Sequence, residues 1–308
     1  MSWKKLKKIF YVIVEKEKAN KTYSQEWRDF TNLALVIEKN PPPAVSAIHF
    51  SLQQIEKKLN KKEIAILDHG CGSGLTLIYL SVIGYTNVHG VNVNDSVEHM
   101  NSILRKKFKF YGKRFFTTDG KKVPFEDEKF DFIISAQVAE HLRDDEVNMY
   151  YSEEGRVLKK NGLAYHELPH KLMLYDSHSR FWLIHFFPYF CKPLLYGIFM
   201  SIRKKRNLLL KGGEYALHFS KEFLILRTPN FHKKMLDTHI GTYEDLTVKR
   251  LARKDDFSSY DHDGPLKLRV IMQKIFLLPI LGKIFIYIFK NFFILQTLSK
   301  KKLLDAKS

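Results

Sequence analysis

A short apolar run, Ile64–Asp68, enters the turn Asp68-His69-Gly70-Cys71-Gly72-Ser73-Gly74, and a stretch with helical apolar spacing, Leu75–Gly84, leaves it. Few folds accept a strand, an acid, three alternate glycines and a helix in immediate succession. Glycines at 70, 72 and 74 permit positive φ and let a ligand approach the backbone closely. The first turn of the following helix offers unpaired N–H groups and a partially positive end to a polar ligand. The dinucleotide spacing G-x-G-x-x-G fails, because Leu75 stands where its third glycine would fall, so nicotinamide binding is the poorer use of this loop.

The chain around the turn alternates in the same way. Strands are expected at Ile64–Asp68, Asn87–Asn92, Arg114–Thr117, Phe130–Ser135 and Leu163–Leu168. Between them the spacing predicts helices at Leu75–Gly84, Ser96–Phe110 and Glu146–Leu158, with a turn at Val138–Leu142. Five strands with crossover helices make a Rossmann-like α/β sheet with helices on both faces, whose ligands bind beyond the carboxyl ends of the strands. With 308 residues, 45% of them hydrophobic, the chain can bury such a core and an accessory part besides. Residues 1–63 read as a basic helical segment, 64–254 as the α/β domain with a lid-like insertion at about 175–220, and 255–308 as a linker with C-terminal apolar and basic helices.

Four landmarks in fixed order resemble the class I S-adenosylmethionine-dependent methyltransferases, in particular their small-molecule and metabolite branch. They are Ile64–Gly74, His89–Asn94, Thr118-Asp119-Gly120 with Val123-Pro124-Phe125, and Lys129–Leu142 continued by Arg156–Leu163. The resemblance implies S-adenosyl-L-methionine as cofactor. It places the methionine portion on Asp68 and the backbone of Gly70, Cys71, Gly72 and Gly74, with Gln137 near by. It places the ribose at Asn92, where the family usually has an acid, and the adenine amino group at Asp119. An Asn accepts one hydroxyl and donates through its amide, so ribose binding there is weakened or re-aimed. Each residue also has a structural alternative: Asp68 as a cap of its turn, Asn92 and Asp119 as loop residues.

Methyl transfer demands proximity, in-line orientation and loss of a proton from the acceptor, and requires no metal. A base near the end of the fifth strand could come from His166, Glu167 or His170, with His170 preferred because it follows Pro169 in the loop outside the strand; His141 is a further candidate, and His178 and His218 are weaker alternatives. Glu167 shares the fifth strand, but alternation turns it to the face opposite His166. His141 follows Glu140 in the fourth landmark, where the family's histidine often packs beneath the cofactor or orients the loop.

Charge is unevenly spread. Residues 1–63 hold 13 basic and 7 acidic side chains, 64–170 hold 13 and 15, and 171–308 hold 25 and 11. A near-neutral centre with basic flanks points the flanks, not the domain, at an anionic partner. The first helix is basic and aromatic. The stretch Phe181–Ile202 is apolar and is followed by Arg203-Lys204-Lys205-Arg206. Val270–Leu298 reads as two apolar helices broken at Pro279, with Lys283, Lys290 and Thr297 on one stripe and Lys300-Lys301-Lys302 closing it. Such segments suit a membrane interface. Thr228-Pro229 starts a helix to Asp237, and Leu246–Leu251 reads as a late strand. Cys71 and Cys191 suggest neither a disulfide framework nor a zinc cluster and fit a reducing compartment.

The expectation is therefore methyl transfer to a small-molecule, glycan or lipid-linked acceptor by a cytoplasmic protein, peripheral on the inner face of an anionic membrane. The alternatives are an RNA methyltransferase using the basic flanks, for which no RNA-binding module is evident, and a non-enzymatic membrane-associated protein that keeps the fold.

Overall fold

The computed structural model describes residues 3–93, 97–109, 112–176, 178–205, 207–251, 271–272 and 274–302. The central strands are β1 (Ile66–His69), β2 (Val88–Asn92), β3 (Phe115–Thr117), β4 (Phe130–Ala136) and β5 (Leu158–Leu168). A small hairpin, β6 (Tyr175–Asp176) and β7 (Phe181–Trp182), stands apart, and β8 (Gly241–Asp245) and β9 (Leu295–Lys301) complete the set. The main sheet has seven strands in the order β3-β2-β1-β4-β5-β9-β8. β1 to β5 run parallel, while β9 is antiparallel to both β5 and β8. Strand order reverses between β1 and β4, which opens a crevice at their carboxyl ends.

The helices α1 (Trp3–Lys18), α2 (Ser24–Lys39), α3 (Pro43–Glu56), α4 (Leu75–Val82) and α5 (Val97–Phe108) share a core with Ile66, Val88, Phe132 and Ile134. On the opposite face α6 (Asp144–Val157) packs on Leu67, Val91, Ile133 and Ala164, together with the helix Pro229–His239. Consecutive residues of one strand thus feed two cores, as a two-residue side-chain period requires. The strands expected at Leu163–Leu168 and Phe130–Ser135 extend further, to Leu158–Leu168 and Phe130–Ala136.

Leu6, Phe10, Ile13 and Val14 of α1 are buried in the first core. Each such burial is worth on the order of 1.5–3 kcal/mol. The apolar face that suggested a membrane surface is therefore covered by the protein itself, and Tyr11 and Val12 are its exposed remnant.

The insertion holds β6, β7, α7 (Lys192–Lys204) and α8 (Gly212–Leu217) around its own small core of Phe181, Ile184, Tyr196, Met200, Leu208 and Ala216. Phe181 is core, whereas Trp182, Phe186 and Phe187 face outward. The helix expected at Thr228-Pro229 is α9 (Pro229–His239), and Thr228 Oγ1 caps it by accepting from Phe231 N at 3.3 Å.

Two expectations on the C-terminal side are corrected. Leu246–Leu251 is not a strand: Thr247–Leu251 forms α10, whose Thr247 N donates to Asp245 Oδ1, and the strand is the preceding β8. The second apolar helix is α11 (Pro279–Phe289), but beyond Phe292 the chain extends into β9. Thr297 is accordingly a buried strand residue and does not continue the stripe of Lys283 and Lys290. The closing lysines belong to the sheet as well: Lys301 Nζ donates to Leu158 O at 2.6 Å and Lys302 Nζ to Asp237 Oδ1 at 3.0 Å. The linker expected at Asp255–Pro265 lies outside the described residues. Among the described residues, no helix is long and apolar enough to cross a membrane.

Candidate active site

The crevice at the strand reversal is a cleft of about 390 Å³. Its floor is the glycine turn and the start of α4, with Asp68, Gly70, Cys71, Gly72, Ser73, Leu75 and Thr76. Ala136 and Gln137 after β4, and Tyr165 and Glu167 from β5, form one wall. Val45 and Ile48 of α3 and Trp3, Lys4, Lys7 and Tyr11 of α1 close it from above.

The turn has the conformation its glycines allow. Gly70, Gly72 and Gly74 have φ of +86°, +48° and +73°. Gly70 N and Cys71 N both donate to Val91 O, at 2.9 and 3.0 Å, which pins the turn to β2. A Cβ on Gly70 would lie 2.5 Å from Val138 Cγ2, whereas one on Gly72 would meet nothing within 4 Å. Gly72 is therefore where bare backbone meets the cleft. Cys71 is buried, and burial pushes its thiol well above the usual range, so it is an inert wall and not a nucleophile.

Asp68 is 5% exposed, and burial raises its carboxyl to about 7. A buried acid beside a glycine turn is a receptor for a cation, because the cation supplies what water no longer does. Opposite it, Glu167 is held from several sides. It accepts from Tyr165 OH at 2.9 Å, from Gln137 Nε2 at 3.3 Å and from Gln296 Nε2 of β9. Gln137 has a φ of +59° and its N donates to Glu167 O at 2.7 Å, so backbone and side chain are both locked to β5.

The remaining candidates fall elsewhere. Gly74 caps α4 in the left-handed region. Asn92 ends β2, where its carbonyl accepts from Thr118 N, but it does not line the cleft. Asp119 is outside it too: its Oδ1 accepts from Lys121 N at 2.9 Å, which ties its own turn and keeps its carboxyl below the ordinary value. The structure thus brings Asp68, Gly70, Cys71, Gly72 and Gln137 into one cleft, while neither Asn92 nor Asp119 stands in its wall. Residues 94–96, which follow β2, are outside the described residues.

None of the three histidines expected to act as base lines the cleft. His170 is 1% exposed; its Nε2 donates to Phe293 O at 2.8 Å, and its Nδ1 accepts from Leu172 N. His166 is fully buried on the other face of β5, 2.7 Å from Glu154 Oε2. The second oxygen of Glu154 takes His69 Nδ1 at 3.1 Å. Burial works to raise the Glu154 carboxyl, but the charge and hydrogen bond of His166, and then of His69, outweigh it and hold the group at about 2. These hydrogen bonds make a buried structural cluster under the sheet. His141 Nδ1 donates to Phe223 O at 2.7 Å and so ties the loop after β4 to the insertion. Burial lowers its imidazole below the ordinary range.

Sequence reasoning missed the α1 roof with Lys4 and Lys7, because nothing local says where a distant helix docks. Strand alternation separates Glu167 from His166 in the sequence, and the structure turns Glu167, with Tyr165, toward the cleft.

A reversed parallel sheet, a positive-φ glycine turn and a buried acid at the first strand's end define a Rossmann-like cofactor-binding α/β protein. The comparisons with known proteins narrow this class. The family model described as "Methyltransferase domain" matches residues 67–166, and the chain carries a class I S-adenosylmethionine-dependent methyltransferase domain there. A ubiquinone biosynthesis O-methyltransferase from Bartonella tribocorum is 31% identical over 104 residues, 33% of this chain and 40% of that protein. The chain thus matches well under half the length of this curated relative. Among solved structures, the PH0226 protein from Pyrococcus horikoshii is 26% identical over 40% of this chain and 57% of its own, with a TM-score of 0.32. A SAM-dependent methyltransferase from Methanosarcina mazei is 14% identical over 81% of this chain and 97% of its own, with a TM-score of 0.45.

Proposed function

We propose that this protein transfers a methyl group from S-adenosylmethionine to a small-molecule acceptor. The observation that carries the reading is the cleft itself: the matched domain, residues 67–166, gathers a buried Asp68 and an open Gly72 backbone at the carboxyl end of β1. When bound there, the cofactor supplies an electrophilic methyl on a sulfonium. Asp68 and the turn hold its amino-acid end. Trp3, Tyr11, Val45 and Ile48 exclude water from above. Glu167, fixed by Tyr165, Gln137 and Gln296, is the carboxylate positioned to accept the acceptor's proton, in place of the histidines.

The acceptor we favour is lipid-linked and met at an anionic membrane surface. On the insertion, Phe190 is 81%, Ile202 70% and Leu210 99% exposed, and Lys204, Lys205 and Lys211 accompany them. On α11, Ile280 is 78% and Tyr287 75% exposed. Exposed apolar side chains rimmed by lysines suit an interface with lipid. The test is incubation of soluble and membrane extracts with the protein and methyl-labelled S-adenosylmethionine. Label in the lipid extract supports the whole reading, and label in soluble material alone removes the membrane part. Label in RNA replaces the acceptor class, and absence of cofactor binding by calorimetry overturns the enzyme reading altogether.

A further inference from the structure

A cluster that methyl transfer does not use lies where the loop after β4 meets the insertion. Glu140 and His141 belong to the 3-10 turn Ala139–His141, and His178 follows β6. One nitrogen or oxygen from each lies within 4.8 Å of the others. Glu140 is 1% exposed, and neither of its carboxylate oxygens has a hydrogen-bond partner among the described residues. A buried carboxyl without a donor is costly and needs a reason.

The two imidazoles are held in place by their neighbours. His141 Nδ1 is committed to the Phe223 carbonyl, which leaves its Nε2 with a lone pair, 3.9 Å from Glu140 Oε1. A backbone carbonyl fixing the tautomer in this way is the usual support of a metal-binding histidine. His178 Nδ1 stands 3.4 Å from Asp176 Oδ1, a carboxylate that is itself buried. The His141 and His178 rings meet edge-on with centroids 5.7 Å apart, and both rest on Phe223. Glu140 is held in depth by its neighbours: its carbonyl accepts from Ile225 N at 2.7 Å, and Arg227 donates to the carbonyls of Ala139 and Leu142. Both histidines keep some solvent exposure, which gives an ion a way in.

We propose that Glu140, His141 and His178 form a site for one divalent cation of the imidazole-seeking kind, Zn²⁺ before Mg²⁺. Two imidazoles and one carboxylate are a borderline donor set, whereas Mg²⁺ selects oxygen and water. Ligands about 2.0–2.2 Å from a tetrahedral centre stand roughly 3.4 Å apart, so the cluster contracts by roughly 1 Å on binding. Rotation of two part-exposed imidazoles supplies that movement. Three protein ligands leave one position open to water or an acceptor oxygen. The ion ties the loop that carries Gln137 into the cleft to the insertion beyond it, so metal occupancy sets how firmly the insertion sits.

The test is calorimetric titration of the whole chain with ZnCl₂, alongside melting curves. One site is expected, weakened at least tenfold in Glu140→Gln and in His178→Ala and unchanged in His99→Ala, with a melting temperature that rises on zinc only in the parent and His99→Ala. Equal zinc affinity in all four proteins, or no binding by the parent, overturns the proposal. Co²⁺ loaded into the parent chain gives a readout that needs no variant. Intense visible bands of a four-coordinate ion are the expected result, and the weak bands of an octahedral aquo-like ion overturn it. Zinc binding here asks nothing of the cofactor cleft, so its failure and that of methyl transfer are read separately.

Discussion

Cofactor affinity should follow the ionisation of Asp68. Burial holds this carboxyl at about 7, well above the ordinary aspartate, so in the unliganded protein it is neutral through most of the acid range. The cofactor's ammonium binds the carboxylate and not the acid. With a value of about 7, roughly 1% of Asp68 is ionised at pH 5 and roughly half at pH 7. An amino-acid ammonium, which titrates near 8, stays charged over that interval. Association should therefore strengthen about fiftyfold from pH 5 to pH 7, about 2 kcal/mol, with the slope flattening above pH 7. Calorimetric titration with S-adenosylhomocysteine at pH 5, 6 and 7 measures it directly. Asp68→Asn should bind weakly with little pH dependence. The same burial has the opposite sign for stability. A raised folded-state value means that Asp68 favours the fold below about pH 4 and loses that contribution as pH rises through 7. The Asn variant should therefore be more stable than the parent at pH 8 while binding worse. A flat affinity profile in the parent, or an unchanged slope in Asp68→Asn, would refute the role given to this carboxyl.

Four further outcomes are expected. Gly70→Ala combines a positive φ with a Cβ driven into Val138, a side chain stiff about χ1, and should cost about 2–5 kcal/mol in urea denaturation. Gly72→Ala carries only the φ strain, about 1 kcal/mol, yet crowds the cleft and should lose cofactor affinity with near-normal stability; a larger stability loss at 72 than at 70 contradicts the geometry. Glu167→Gln leaves the three donors Tyr165, Gln296 and Gln137 with one acceptor oxygen in place of two, so initial-rate assays should show a fall in kcat larger than any change in cofactor affinity, with a stability loss of about 1–3 kcal/mol. Glu154, held at about 2, contributes stability present above its unfolded value near 4.5 and lost as pH falls toward 2; acid unfolding of Glu154→Gln should lack this part of the pH dependence, and an identical acid profile would argue against the buried pair.

Elements built from their own neighbours were legible in the sequence. β1, β2, β4 and the helices that follow them announce themselves by apolar runs, glycines and helical spacing, and they fall within a few residues of expectation. β8 and β9 did not. β8 has three exposed residues in a row and so offers no alternation to read. β9 buries Gln296, Thr297 and Ser299 among paired strands, and polar residues there look like the continuation of a helical stripe. In the site, the glycine turn and Asp68 were readable because the chemistry is local. His170 was a poor choice because the loop's depth is set by Phe293, a residue distant in sequence whose carbonyl takes the imidazole.

The place of β9 has a consequence for synthesis. Seven residues from the far end of the described chain fill the gap between β5 and β8, and one of them, Gln296, braces Glu167 in the cleft. While the ribosome is still short of residue 295, the nascent chain exposes the open edge of β5, the kind of edge that recruits other strands. The cleft carboxylate is meanwhile short of a donor. The sheet edge is closed and Glu167 is braced in the same late event.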